Sequence, residues 1–366
     1  MLYHLLYPLA RYSIVFNVLR YITFRSLGAF LTALLFTLFV GPSFIRLLKR
    51  KAAVETIDDD VPEKHRAKAG TPTMGGLLII FGLLIASLLW NDLTNRSIIM
   101  MFLTTLWLGI FGFLDDYLKN FLKLAKGLVP KYKLWGQISV GLLLTLAIFY
   151  GGTSGTVTNL QIPFFKNLII PLGWTFIPLM VFYITGISNA VNLTDGLDGL
   201  SAGVMIFSAV GLGIMSYLKG NFNSAAYLQL EFLPTAGELT VFIAGLIGTL
   251  IGFLWFNSHP AEVFMGDTGS LTLGGILAVI SILLQEQIFF VIIGFLFISE
   301  TLSVIIQRTW FKHTKRRYGE GRRVFLCAPV HHHFEMKGMH ESKIVIRFWI
   351  VAILLLAVGL STIKLR

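Results

Sequence analysis

The sequence predicts an all-α integral membrane protein: about ten transmembrane helices, both termini outside on the periplasmic side, and an N-terminal interfacial helix. Three observations carry this. Of the 366 residues, 55% are hydrophobic and 13% charged, about half the roughly 25% charge of soluble domains. Apolar runs of about 20 residues, enough to cross ~30 Å of hydrocarbon, recur along the chain. Basic residues gather on alternate connections between those runs.

The composition excludes several classes. A soluble fold could not hide this much apolar surface, because single cores stop growing near ~250–300 residues. Cys327 is the only cysteine, so no intrachain disulfide forms. Thirty Lys and Arg against 19 Asp and Glu give +11. In a soluble protein that excess suggests nucleic acid. Membrane proteins instead concentrate Lys and Arg in cytoplasmic loops, and no nucleic-acid partner is expected here.

Taken in order, residues 1–22 place Leu2, Leu5, Leu6, Leu9, Val18, Leu19 and Ile22 at near-helical spacing, with Arg11, Arg20 and Arg25 interspersed. That pattern predicts an amphipathic helix lying in the interface. It does not read as a signal peptide, since no basic residue precedes the apolar stretch and no small-residue cleavage site follows. The spans are expected at 26–48, 73–91, 96–114, 132–150, 173–191, 197–217, 236–255, 267–285, 287–308 and 344–364. None alternates as barrel strands would. The whole of 1–366 reads as one polytopic domain. Its cytoplasmic connections fall at about 49–72, 115–132, 192–196, 256–266 and 309–343. The outside segment 151–172, with Gly151-Gly152, Pro163 and Pro171, reads as a turn region or small hairpin. Nineteen basic residues fall on the first set of connections and three, Arg96, Lys166 and Lys219, on the opposite set. The asymmetry orients the chain.

Four polar clusters lie at the predicted cytoplasmic helix ends. Asp115-Asp116 follows span three at a helix C-terminus, where the dipole disfavours carboxylates by a few tenths to ~1 kcal/mol each. A cation should compensate, either Lys119 as an ordinary i,i+4 pair or a metal. Asp195 and Asp198, three apart, are expected on one helical face at the start of span six, with Asn189 and Asn192 continuing the spacing backward. Helix capping explains part of that row. Asp267 opens span eight in Gly-Asp-Thr-Gly-Ser, suited either to capping or to a phosphate with Mg²⁺. His331-His332-His333 does not fit a zinc site, since adjacent histidines diverge; binding an anion or acid–base work fits it better. No Walker-type lysine follows a glycine-rich loop. Few ionisable residues sit inside spans, Glu300 being the deepest acid. That scarcity favours an interfacial enzyme over a proton-coupled transporter.

The runs Asp115-Asp116-Tyr117, Asn189-Ala190-Val191-Asn192-Leu193-Thr194-Asp195-Gly196-Leu197-Asp198-Gly199 and Phe264-Met265-Gly266-Asp267 resemble the polyprenyl-phosphate N-acetylhexosamine-1-phosphate transferase superfamily. Thr71-Pro72-Thr73-Met74-Gly75-Gly76, Phe253-Leu254-Trp255-Phe256-Asn257 and Ala328-Pro329-Val330-His331-His332-His333 look like its muramoyl-pentapeptide branch. The resemblance runs from Phe16 nearly to the end of the chain. It implies a Mg²⁺-dependent transfer from UDP-MurNAc-pentapeptide to undecaprenyl phosphate, giving lipid I and UMP, in a homodimer embedded in the lipid bilayer. It implies Asp267, with Asp115, as metal ligand, and Asp115 or Asp116 as the group that orients or deprotonates the acceptor. Asn189, Asn192, Asp195, Gly196, Leu197, Asp198, Asn257, Phe264 and Gln307 would face the substrate. Lys68, Lys119 and Lys133 would hold phosphates, and His331 and His332 would face the same pocket. A UDP-N-acetylglucosamine-using relative and an anionic-lipid or nucleotide transporter stay open beside this reading.

Overall fold

The computed structural model describes residues 2–51, 70–124, 127–151, 158–163 and 169–364. Its long helices are α2 (Ile22–Arg50), α4 (Arg96–Asn120), α5 (Pro130–Gly151), α6 (Phe176–Thr194), α7 (Leu200–Gly220), α9 (Ala236–Asn257), α10 (Gly266–Leu283), α12 (Phe295–Tyr318) and α14 (Glu341–Ser361). Shorter helices are α1 (Leu2–Leu6), α3 (Gly76–Trp90), α8 (Phe222–Leu228), α11 (Gln287–Ile293) and α13 (Val330–Met336). Among the described residues, eight helices are long and apolar enough to cross a membrane. Helices α11 and α12, which meet at Gly294 with a 77° bend, make a ninth when the pair is taken as one span. The run expected at 73–91 yields only the 15-residue α3, about 22 Å long.

The N-terminal segment is not one amphipathic helix. It is α1 followed by two 3₁₀ segments, Tyr7–Arg11 and Ile14–Arg20. Pro8 enters the first turn of the former and supplies no amide there. Several predicted loops are partly helical. Helix α4 runs on to Asn120, so Asp115 and Asp116 lie inside its last turns. Helix α12 extends to Tyr318, and α13 occupies part of 309–343. In the outside segment, β1 (Asn159–Gln161) pairs antiparallel with β2 (Ile169–Pro171), with Leu160 opposite Ile170.

Helix α10 is the most enclosed span, 83% buried. It packs against α3, α4 and α6. The approach needs glycine: a Cβ on Gly76 would lie 2.1 Å from the Gly269 nitrogen, and one on Gly112 2.6 Å from the Asp267 carbonyl oxygen. Residues 72–76 also zip onto the strand-like segment before α10. Phe264 N donates to the Pro72 oxygen at 2.8 Å, Gly75 N to Phe264 O at 2.8 Å, and Gly76 N to Met265 O at 2.8 Å. The start of α10 is thereby fixed among the ends of α3, α4 and α6.

Of the three basic residues assigned to the outside loops, Lys219 turns inward and Arg96 stays exposed, bound to a helix end. Lys219 is fully buried, pairing with Glu286 at 2.8 Å and donating to the Leu284 carbonyl at 2.7 Å. Arg96 donates to the carbonyls of Ala147 and Gly151 at the end of α5. Lys166 lies outside the described residues.

Candidate active site

Asp115, Asp116 and Asp267 converge from α4 and α10, with carboxylate oxygens within 4.8 Å of one another. Like charges this close repel strongly in a poorly screened site, and two lysines stand between them. Lys119 Nζ lies 2.6 Å from Asp115 Oδ2 and 2.7 Å from Asp267 Oδ2. Lys133, from the first turn of α5, lies 2.9 Å from Asp267 Oδ2 and 3.6 Å from Asp115 Oδ2. The i,i+4 pair expected within α4 therefore exists but is shared with a third carboxylate 148 residues away.

The three acids have different duties. Asp116 accepts from Asp267 N at 3.0 Å, Thr268 N at 2.8 Å and Thr268 Oγ1 at 2.5 Å. These are orphan donors of the first turn of α10, so Asp116 acts as an N-cap supplied by another helix. Asp267, itself expected as a possible cap, is instead capped and points its carboxylate at the lysines. Asp115 Oδ1 accepts from Leu128 N at 2.8 Å, which ties down the connection into α5. Asn192 Nδ2 donates to Asp267 Oδ1 and, at 2.8 Å, to Ser270 Oγ.

The Asn-Asp row does not stay on one face. Helix α6 stops at Thr194 and α7 starts at Leu200. Gly199 has φ +76°, which ends the intervening turn. Asp195 and Asp198 are thus turn residues. Asn189 faces away from the acids, donating to Gln137 Oε1 at 2.9 Å and to Thr185 O at 2.8 Å. Leu197 is buried. Asp198 Oδ2 lies 3.0 Å from His259 Nδ1 and accepts from Ala261 N at 3.2 Å, while Glu341 Oε1 accepts from Asp198 N at 2.8 Å. Asn257 accepts from Gly199 N at 3.1 Å and donates to Val263 O at 2.9 Å, clamping this turn to the one before α10.

The remaining expected residues are spread round the same end. Phe264 is half-buried and anchors the zip through its backbone. Gln307 holds the 322–328 segment, accepting from Val324 N and Phe325 N at 3.0 and 2.9 Å and donating to Phe325 O at 3.0 Å. His331 is fully buried against Glu300, their Nδ1 and Oε2 3.1 Å apart. His332 pairs instead with Glu335 at 2.6 Å. Lys68 lies outside the described residues. Sequence reasoning missed His259, Glu341 and Gln137. They lie far along the chain from their partners, and no spacing rule links them.

The arrangement offers groups for charges of either sign. Lysines poised on carboxylates at a helix N-terminus can hold phosphates. The donor set also fits a hard divalent cation, which takes oxygen ligands. Both lysine ammonium groups already sit on the carboxylate oxygens such a cation would use. With Asp116 committed to capping, Asp115 and Asp267 are the carboxylates left to offer oxygens.

Comparison with known proteins agrees with this geometry. The model of glycosyl transferase family 4 matches residues 98–285, and phospho-N-acetylmuramoyl-pentapeptide-transferase signature 1 matches residues 68–80. A phospho-N-acetylmuramoyl-pentapeptide-transferase of Pelodictyon phaeoclathratiforme is 49% identical over 351 residues, covering 96% of this chain and 95% of the relative. Those of Gemmatimonas aurantiaca and Maridesulfovibrio salexigens are 48% and 47% identical, each over the full length of both chains. The matched stretch spans α4 to α10 and so holds all three acids and both lysines, and on these likenesses the chain belongs to the phospho-N-acetylmuramoyl-pentapeptide-transferase family.

Proposed function

We propose that this protein transfers phospho-MurNAc-pentapeptide from UDP-MurNAc-pentapeptide to undecaprenyl phosphate, giving lipid I and UMP for peptidoglycan synthesis. The observation that carries this reading is the meeting of Asp115, Asp267, Lys119 and Lys133 at one end of an apolar bundle. The place is right for a water-soluble nucleotide and a lipid-borne phosphate to meet. We assign that end to the cytoplasmic face of the bacterial inner membrane. The basic-residue asymmetry supports this, and burial of Lys219 sharpens it. A homodimer follows from the family resemblance.

In the proposed step, an oxygen of the acceptor phosphate bonds to the β-phosphorus of the donor. The bond from that phosphorus to the bridging oxygen breaks, and UMP leaves with that oxygen. Such transfer needs positioning and charge neutralisation more than covalent help. Lys119 and Lys133 supply fixed positive charge for the diphosphate and the incoming phosphate. Asp115 lies beside both lysines, placed to orient the acceptor and to take any proton it still carries; a phosphomonoester's second pKa near ~6 leaves little to remove. Asp267 and Asp115 would hold Mg²⁺, which would neutralise diphosphate charge. Asp116 holds the first turn of α10, and hence Asp267, in place. The Asp195–Gly199 turn, Asn257 and Phe264 form the donor side.

The test uses purified protein in detergent with Mg²⁺ and undecaprenyl phosphate. One tube receives UDP-MurNAc-pentapeptide and a parallel tube UDP-N-acetylglucosamine. Mg²⁺-dependent UMP from the first alone is expected. UMP from the second alone would reject the muramoyl donor, and silence in both from folded protein would reject the transferase reading.

A further inference from the structure

Glu300 and His331 are both fully buried at the site end of the bundle. Glu300 lies six residues past the Gly294 bend in α12, and His331 lies in the first turn of α13. Glu300 Oε2 faces His331 Nδ1 at 3.1 Å and accepts from the His331 backbone N at 3.4 Å. A carboxylate only accepts, so this bond assigns the proton to Nδ1. The other ring nitrogen is then the informative one. His331 Nε2 is buried with no hydrogen-bond partner among the described residues, as is Glu300 Oε1. Nε2 looks onto the turn between α6 and α7: a Cβ on Gly196 would lie 2.3 Å from Nε2 and 3.0 Å from Cε1. The turn rests on the imidazole edge, and only glycine fits there. Four residues earlier, Asn192 holds Asp267. A buried acid–imidazole pair with polar atoms left over is a poor way to stabilise a fold. Its geometry suits orientation better.

We propose that Glu300 is a positioning residue. It locks the His331 ring in the Nδ1–H tautomer, and the ring in turn seats the Asp195–Gly199 turn for the nucleotide-sugar donor. This rests on the proposed function for the identity of that donor and for the turn's place on the donor side. His331 then works through Gly196, whose backbone covers its Nε2, so the dyad acts on donor binding ahead of the chemical step.

The test compares Glu300→Ala and Glu300→Gln with the wild type in detergent. Loss of a hydrogen bond to a charged group in Glu300→Ala should raise the donor KM about 10- to 100-fold with kcat little changed. Glu300→Gln keeps an accepting oxygen toward Nδ1 and should recover most of that loss. His331→Ala combined with Glu300→Ala should be no worse than His331→Ala alone. The ¹⁵N signature of the His331 ring should show Nδ1–H in the wild type and Glu300→Gln but a tautomer mixture in Glu300→Ala. That readout needs no substrate, so it tests the dyad even if the wild type turns over no muramoyl donor. Should Glu300→Ala not fold, Gly196→Ala reaches the same turn from the other side and should raise the donor KM. A fall in kcat at unchanged donor KM, or a ring signature indifferent to Glu300→Ala, would overturn the proposal.

Discussion

The two ends of the bundle bury charge in opposite ways. Away from the acid site, each buried charge has one partner of opposite sign. Arg25 meets Glu238 through two bonds of 2.6 and 2.8 Å, and Asn91 Nδ2 and Asp92 N complete the shell around Glu238. Lys219 meets Glu286. At the other end, three carboxylates share two lysines. A matched pair is balanced in charge without anything else. A surplus of one sign is complete only when a further charge arrives. In this bundle imbalance, rather than burial, sets the candidate site apart.

Substitutions at the two ends should separate activity from stability. The largest effect is expected for Asp267→Asn, a loss of UMP release on the order of 1,000-fold with thermal unfolding unchanged. Turnover near wild type would sink the assignment of Asp267. At the other end, Glu238→Gln strands Arg25 and should cost about 3–5 kcal/mol of stability, read from denaturant unfolding in micelles. Turnover per folded molecule should not change, and Arg25→Leu with Glu238→Leu should recover part of the loss. An activity loss as large as that of Asp267→Asn would end the contrast between the ends.

Asp116 tests the boundary between the two behaviours. As a cap, its replacement by Ala should cost about 1–2 kcal/mol and reduce turnover roughly tenfold by loosening Asp267. Thr268→Val should show a smaller loss in the same direction. A loss matching that of Asp267→Asn, with stability intact, would make Asp116 a reacting group instead. The smallest effect concerns Asp92, outside the spans. Burial works upward on its carboxyl, but the hydroxyl and amide of Thr94 and nearby His4 hold it below the usual carboxylate range. A depressed folded value contributes stability above the ordinary carboxylate pKa and loses it as pH falls through the folded one. The contribution is screened and should stay below ~1 kcal/mol. Asp92→Asn should flatten the acid limb of an unfolding titration.

Much of the site is legible in sequence because its chemistry is local. Adjacent acids at a helix C-terminus and an acid in a Gly-Asp-Thr-Gly-Ser run are improbable without a partner, whatever the fold. Long-range roles are not legible. Nothing in the spacing of Asp115 and Asp116 tells which one caps α10, because the recipient amides lie 151 and 152 residues away. The placing of Asp195 and Asp198 on a shared helical face failed for a related reason. Spacing assumes that a helix continues, and the left-handed Gly199 ends that assumption.

The sequence by itself determined a helical membrane protein, its ten apolar runs, the polar motifs that gather between them, and the family resemblance. Those follow from composition, period and short motifs, which need no knowledge of neighbours. Only the tertiary structure decided that α3 is short, that α11 and α12 bend at Gly294, and that Lys219 is buried. It alone separated the capping Asp116 from Asp267, whose carboxylate meets the lysines, and brought Glu300 to His331. Those outcomes depend on which helices touch, because a polar group's partner is set by its position in space.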